Sequence, residues 1–299
     1  MVDYTNVSTR AMLVSLRVSK WSARKFDRKA SEEITDSASA ERTAGRFNKH
    51  LLAGAAAHKA AIDAGSHART THYDQTLPWA DEGWRLLPTA NFESYTDAMR
   101  KERVNFDRAA DALVVEYPAL RAQARAKLGT LYKDEDFPTA KVVRSRFAWA
   151  IEFAPVPSAG DIRLDLPAEQ LAKIEESITN RSELAAKSAM EAAWERLTEV
   201  VARIKRASGP DGIVRGTLID NARDVCDVLA RLNVSDDADL ERLRSRVEKE
   251  LTSVFVDDLR TDDALRVDTE RRATEIMSAM SAFYTPPADA PYLKIKERP

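Results

Sequence analysis

A single cysteine, Cys226, stands in 299 residues. That excludes an internal disulfide and the stapled framework of a small secreted domain. Glycine (9) and proline (12) are scarce, too scarce for the many turns of a strand-rich fold this long. No run approaches the roughly 18 apolar residues of a membrane span. The apolar run near the N-terminus is broken at Arg17, well short of a secretory signal. These absences lead to the expectation of a cytoplasmic protein with no membrane partner.

Charge and alanine are what the chain has in plenty. Charged residues make up 31% of it and hydrophobic ones 44%, the composition of long amphipathic helices. The net charge is only −2, but it is unevenly spread. Residues 10–29 hold seven bases against Asp27 alone, and residues 211–270 hold sixteen acids against nine bases. Such asymmetry steers a polyanion to one end, or lets two lobes or two subunits attract each other.

The periodicity predicts a mainly α protein with a small antiparallel β element. Val14, Leu16 and Val18 alternate with polar residues, as in a strand with one wet face. Ala44, Phe47, Leu51, Ala55, His58 and Ile62 step by three or four, predicting a helix stopped by Gly65. Residues 66–91, with His67, His72, Trp79 and Trp84, read as the longest irregular stretch. A stripe from Phe92 to Tyr117 predicts a helix closed by Pro118. Phe147, Trp149, Ile151 and Phe153 alternate strictly, as do Ile162, Leu164 and Leu166 after a proline-bearing turn. They predict an antiparallel pair that joins the N-terminal strand in a three-stranded sheet.

From Pro167 to Ser208 the sequence predicts one long central helix of coiled-coil type, roughly 60 Å in length. Its stripe is alanine-rich (Ala185, Ala189, Ala193), which favours close helix approach, in the same chain or a second copy. Shorter helices follow, with Ser235/Asp236 and Thr261/Asp262 as N-cap candidates. The predicted organisation is an N-terminal α+β region at 1–166 with a small sheet and a Trp-containing loop, a helical region at 167–284, and an extended Pro-rich tail at 285–299.

Catalytic and metal chemistry finds little support. Gly209, Gly212 and Gly216 lack the G-K-[ST] of a phosphate loop and the strand before it, so they read as a helix–helix turn. His67 and His72 match no metal spacing. "SDDADLE" lacks the glycine and terminal Glu of a calcium loop. Cys226 sits in an amphipathic helix, where a buried structural thiol is the ordinary reading. No G-x-S-x-G or HExxH is present, and neither a catalytic set, a metal nor a cofactor is expected.

Nucleic-acid binding alone has more than one supporting feature. "KWSARKFDRK" sets Trp21 and Phe26 among Lys20, Arg24, Lys25, Arg28 and Lys29, and a second set combines Arg144 and Arg146 with Phe147 and Trp149. Cations interleaved with aromatics suit a single strand, whose bases stack on rings while its phosphates meet Arg and Lys. Alternating aromatics on a strand are also what a core requires.

"WSARK", "FPTAKVVRSRFAWAIEFAPVPSAGDIRLDLP" and "LNVSDDADLERL" resemble an uncharacterised family of bacteriophages and proteobacterial mobile elements, known only as a domain of unknown function. The resemblance runs from about Val14 to Phe283. It implies a phage or mobile-element origin, near recombination genes and AAA+ ATPases. The expectation is then a non-enzymatic protein that acts in the host cytoplasm as a homo-oligomer and binds partners, as an accessory to an AAA+ ATPase or DNA-processing complex. Direct binding of single-stranded nucleic acid is the alternative, and an anti-defence role is a third.

Overall fold

The structure is a computed structural model that describes residues 7–79, 83–159, 166–287 and 290. Of the described residues, 66% are helical, beside a four-stranded antiparallel sheet and a two-stranded one. The chain begins with a single turn α1 (Val7–Arg10) that leads into β1 (Ala11–Ser19), followed by β2 (Arg24–Phe26), α2 (Arg28–Ser37) and β3 (Asn48–His50). Next come α3 (Ala56–Asp74), β4 (Leu77–Pro78), β5 (Arg85–Pro88), α4 (Phe92–Leu128), α5 (Ala140–Ser145) and β6 (Ala148–Pro155). The long helix α6 (Ala168–Ser208) precedes α7 (Leu218–Leu232), α8 (Ala238–Leu251), α9 (Val256–Thr261) and α10 (Asp263–Met280).

The larger sheet runs β4-β5-β1-β6, and β2 pairs with β3 in the smaller one. Strand β1 is therefore internal. Its alternation survives only at the end, where Arg17 and Ser19 are exposed around buried Val18, whereas Leu13, Val14 and Ser15 are all buried. An internal strand covered on both faces has no wet side to advertise. In β6 burial fades from Phe147, just before the strand, to Phe153, which is 47% exposed. The second strand read at Ile162 and Leu164 lies outside the described residues, as does most of the Pro-rich tail at 285–299.

Several predicted boundaries move. Helix α3 runs through Gly65 to Asp74, so His67 and His72 are helical rather than in a loop. Gly65 is a contact point and not a stop, because a Cβ there would lie 2.6 Å from Lys20 Cδ and 3.1 Å from Phe106 Cε2. Helix α4 likewise passes through Pro118. The buried neighbours Leu113, Tyr117 and Ala124 offset the roughly 3 kcal/mol cost of an interior proline. The predicted helix from 44 to 62 is instead a turn, strand β3 and the start of α3. Ser31 Oγ takes the Phe47 amide at 2.9 Å, the Asp27 amide donates to the Phe47 carbonyl and the Leu51 amide to the Ala23 carbonyl. These bonds across the chain compete successfully with a helix that had only its apolar spacing in favour.

The chain forms two compact units, each discontinuous in sequence. One comprises Met1–Ser15, Tyr73–Tyr95 and Glu152–Pro299, the other Leu16–His72 and Thr96–Ile151. The first crosses the division at 166/167 and the second lies wholly before it, because that division follows secondary-structure type and not contacts.

In the first unit α6 packs against α7, α10 and β4, and α8 against α7 and α10. Ala185, Ala186, Ala189, Met190, Ala193 and Leu197 are buried, whereas the helix from Ala168 to Leu184 is half-buried or exposed. The alanine stripe thus finds its partner helices inside the unit. Arginines tie off helix ends here, where carbonyls lack intrahelical partners. Arg196 donates to the carbonyls of Tyr73, Asp74 and Thr76 at 2.7–2.9 Å. Arg223 serves the Thr252 carbonyl after α8 at 2.6 Å, and Arg266 the carbonyls of Gly209 (2.7 Å) and Gly212 (3.0 Å) after α6. The α8 cap is Asp237 and not Ser235 or Asp236: its carboxylate accepts the Asp239 and Leu240 amides and the Trp194 indole N–H. Asp262 caps α10 as its sequence context suggested, accepting the Leu265 amide at 3.0 Å.

The second unit has its own core of Val18, Trp21, Leu51, Phe106, Leu113 and Tyr117 with their neighbours. Its smaller sheet is anchored by a buried ionic cluster. Lys49 Nζ lies 2.8 Å from Asp27 Oδ2, 2.7 Å from Asp136 Oδ2 and 2.8 Å from the Leu131 carbonyl, with 2% of its side chain exposed. Asp27 also caps α2 by accepting the Ala30 amide.

Candidate functional site

The two units differ sharply in charge. The second carries 22 lysines and arginines against 14 acids, a formal +8, and the first carries 24 against 34, a formal −10. The near-neutral total conceals this split, because each unit gathers its residues from separate stretches of sequence.

The seven cations singled out from the sequence have different fates. Lys20 is half-buried, donating to Ser66 Oγ at 2.8 Å and toward the Ile62 carbonyl at 3.4 Å. Burial, then Arg69 nearby, lowers its pKa. Arg28 pairs with Glu32 (2.8 Å) and Lys29 with Glu33 (3.7 Å) along exposed α2, where solvent screens the attraction. Arg144 is held by Asp107 at 2.9 Å and Asp111 at 2.5 Å, and those two bonds outweigh its burial to raise its pKa. Arg24 and Lys25 are exposed on β2 and have no carboxylate partner among the described residues. Arg146 is exposed as well, with its guanidinium carbon 5.8 Å from the centroid of the Trp21 ring.

Trp21 itself is a core residue, 6% exposed, and packs edge-on against Tyr117 and His58. A base cannot stack on a ring enclosed in this way, so Trp21 is corrected from stacking partner to support. His58, also buried, donates from Nε2 to the Trp21 carbonyl at 2.8 Å. Desolvation holds its pKa below the ordinary histidine value.

The accessible ring in the cluster is Phe26, 39% exposed on β2, with the Arg46 guanidinium 4.7 Å above its centroid. Arg46 escaped the sequence reading because 44–62 was assigned to a helix. Its signal lay in "RFNKH" at 46–50, a cation and aromatic run like the one at 24–28.

The other candidate chemistries find ordinary structural uses. Burial pushes the Cys226 thiol up to about 12, leaving it a protonated core side chain. His67 pairs with Glu102 at 3.0 Å. The glycine turn after α6 points carbonyls at Arg266, the opposite polarity to a phosphate cradle, which presents N–H groups. Among the described residues no cluster of three or more His, Cys, Asp or Glu is placed to hold a metal ion, and no helix is long and apolar enough to cross a membrane. Compared with known proteins, the chain matches no family model, no curated relative and no solved structure.

Proposed function

We propose that this protein is a non-enzymatic binding protein whose basic unit takes a polyanion, with nucleic acid as the ligand. The observation that carries the reading is a set of exposed cations left without acids among the described residues. Arg24, Lys25 and Arg146 are exposed and lack a carboxylate within ion-pair distance among the described residues, in a unit of formal charge +8. Unpaired surface cations keep their full attraction for phosphates, because no internal pair has to be broken first. The helix that had favoured self-assembly has its alanine stripe buried within its own unit, so the runner-up reading moves ahead of oligomerisation. The resemblance to a phage and mobile-element family agrees with a role in DNA processing.

Fluorescence anisotropy with a labelled oligonucleotide across a salt series tests this. Each neutralised phosphate of a single strand contributes roughly 0.7 to the log–log salt slope. Changing Arg24, Lys25 and Arg146 together to Ala is therefore expected to flatten the slope by about two units. Wild-type protein that binds no oligonucleotide at low salt would overturn the proposal.

A further inference from the structure

The smaller sheet offers more than charge. Strands β2 and β3 pair antiparallel with Arg24 opposite His50 and Phe26 opposite Asn48. Residues directly opposite share a face, as do residues two apart, so Arg24, Phe26, Asn48 and His50 lie on one side. Lys25 and Lys49 lie on the other, where Lys49 is consumed by Asp27 and Asp136. The first face is partly open: Arg24, Phe26 and Asn48 are exposed and His50 is half-buried. Arg46 covers part of the Phe26 ring and has no carboxylate partner among the described residues. The Asn48 amide likewise has no hydrogen-bond partner there.

We propose, resting on the polyanion reading above, that this face is a base-stacking shelf for single-stranded nucleic acid. Phe26 and the Arg46 guanidinium hold an unstacked base, and Arg24 meets the neighbouring phosphate. The chemistry needs each component. An exposed phenyl ring gains by covering itself with a flat π-face. A guanidinium stacked on that ring is planar and weakly hydrated, so it extends the shelf and adds positive charge at the base. The Asn48 amide supplies a donor and an acceptor beside the shelf for a base edge. A duplex keeps its bases stacked and paired and has no free face to place there. The shelf therefore separates single strands from other polyanions. The buried Lys49 cluster underneath ties the sheet to Asp136, so the strands are not free to splay when a ligand arrives.

The test compares four probes on the full chain: fluorescein-labelled oligothymidine, oligouridine of equal length, a DNA duplex and polyglutamate as competitor. Wild-type protein is expected to bind one or both single strands more tightly than the duplex, and the two sugars tell DNA from RNA. Phe26→Ala is expected to lose about tenfold to a hundredfold in single-strand affinity while leaving duplex binding and the salt slope unchanged. Its melting temperature should stay near wild type because the ring is substantially exposed. Phe26→Trp should bind at least as tightly as wild type, and Arg46→Ala should weaken single-strand binding. The shelf is refuted if Phe26→Ala and Arg46→Ala both bind single strands as wild type does, or if the duplex is preferred, even though the polyanion reading would survive either result. Polyglutamate that displaces the oligonucleotide as well as unlabelled single strand does would mark an acidic-protein dock and refute the shelf. No binding of any nucleic acid at low salt ends both.

Discussion

The guanidinium of Arg146 lies over the indole of Trp21, so the two cation and aromatic sets, far apart in sequence, meet through one residue from each. The ring is buried and the cation is its lid. Trp21→Ala is therefore a stability variant before it is a binding variant. Emptying this site, packed by Tyr117 and His58, is expected to cost about 3–5 kcal/mol. Urea unfolding monitored by circular dichroism measures it, and a midpoint equal to wild type would return Trp21 to the list of stacking candidates.

The buried cluster of Lys49 with Asp27 and Asp136 makes a second prediction. Lys49→Met leaves two carboxylates facing each other without their cation, which is expected to destabilise the protein by about 3–5 kcal/mol. The hydrogen bond from Lys49, then that from Ala30, depresses the Asp27 pKa. That contribution is present above the unfolded carboxylate value of about 3.9 and is lost as pH falls through the folded one. Lys49→Met lacks that acid-labile contribution, and protonation relieves its facing carboxylates, so its deficit against wild type should narrow as pH falls. Thermal melts from neutral to acid pH on both proteins check it.

His58 sets a different pH window. Its folded pKa is lowered, first by desolvation, so the unfolded chain binds a proton more readily than the folded one. Stability should be complete above the unfolded value of about 6.5 and decline as pH falls from there toward the folded pKa. His58→Gln is expected to flatten that part of the stability–pH curve, at the cost of a lower plateau. An unchanged pH dependence in the variant would show that His58 is not the group responsible.

Gly65→Ala tests the close approach inside the second unit. On helix propensity alone the change should stabilise α3 by about 1 kcal/mol. The added Cβ meets Lys20 Cδ and the fully buried Phe106, and overpacking of this kind costs about 1–3 kcal/mol. A lowered midpoint is expected in chemical denaturation, and a raised one would mean that the neighbours yield easily.

Ala189→Glu with Ala193→Glu probes the long helix. Both alanines are fully buried, so two carboxylates there would lack partners, and a loss of several kcal/mol is expected. A double variant with wild-type stability would mean that this face of α6 is not packed in solution.

Composition and period alone determined that this is a helical protein, that α6 runs uninterrupted from about Ala168 to Ser208, and that α10 opens at Thr261 or Asp262. Those features depend on residues close in sequence: an apolar stripe repeated over many turns, a carboxylate three residues before the amide it caps. What a cation does depends instead on what the fold puts opposite it. Arg28 and Arg144 look alike in sequence, yet one pairs four residues along its own helix and the other takes Asp107 and Asp111 from α4. Arg24 and Arg146 are left without a carboxylate partner among the described residues, and Arg196 and Arg266 spend their donors on distant carbonyls. Gly65 and Pro118 misled for the same reason: whether a glycine stops a helix or lets another chain approach, and whether a proline breaks a helix or is carried within it, is decided by contacts that propensity does not contain. The charge division between the units belongs to the tertiary structure as well, since it appears only when stretches separated along the chain are gathered into one body. Coulomb energies act through space and take no account of position in the sequence.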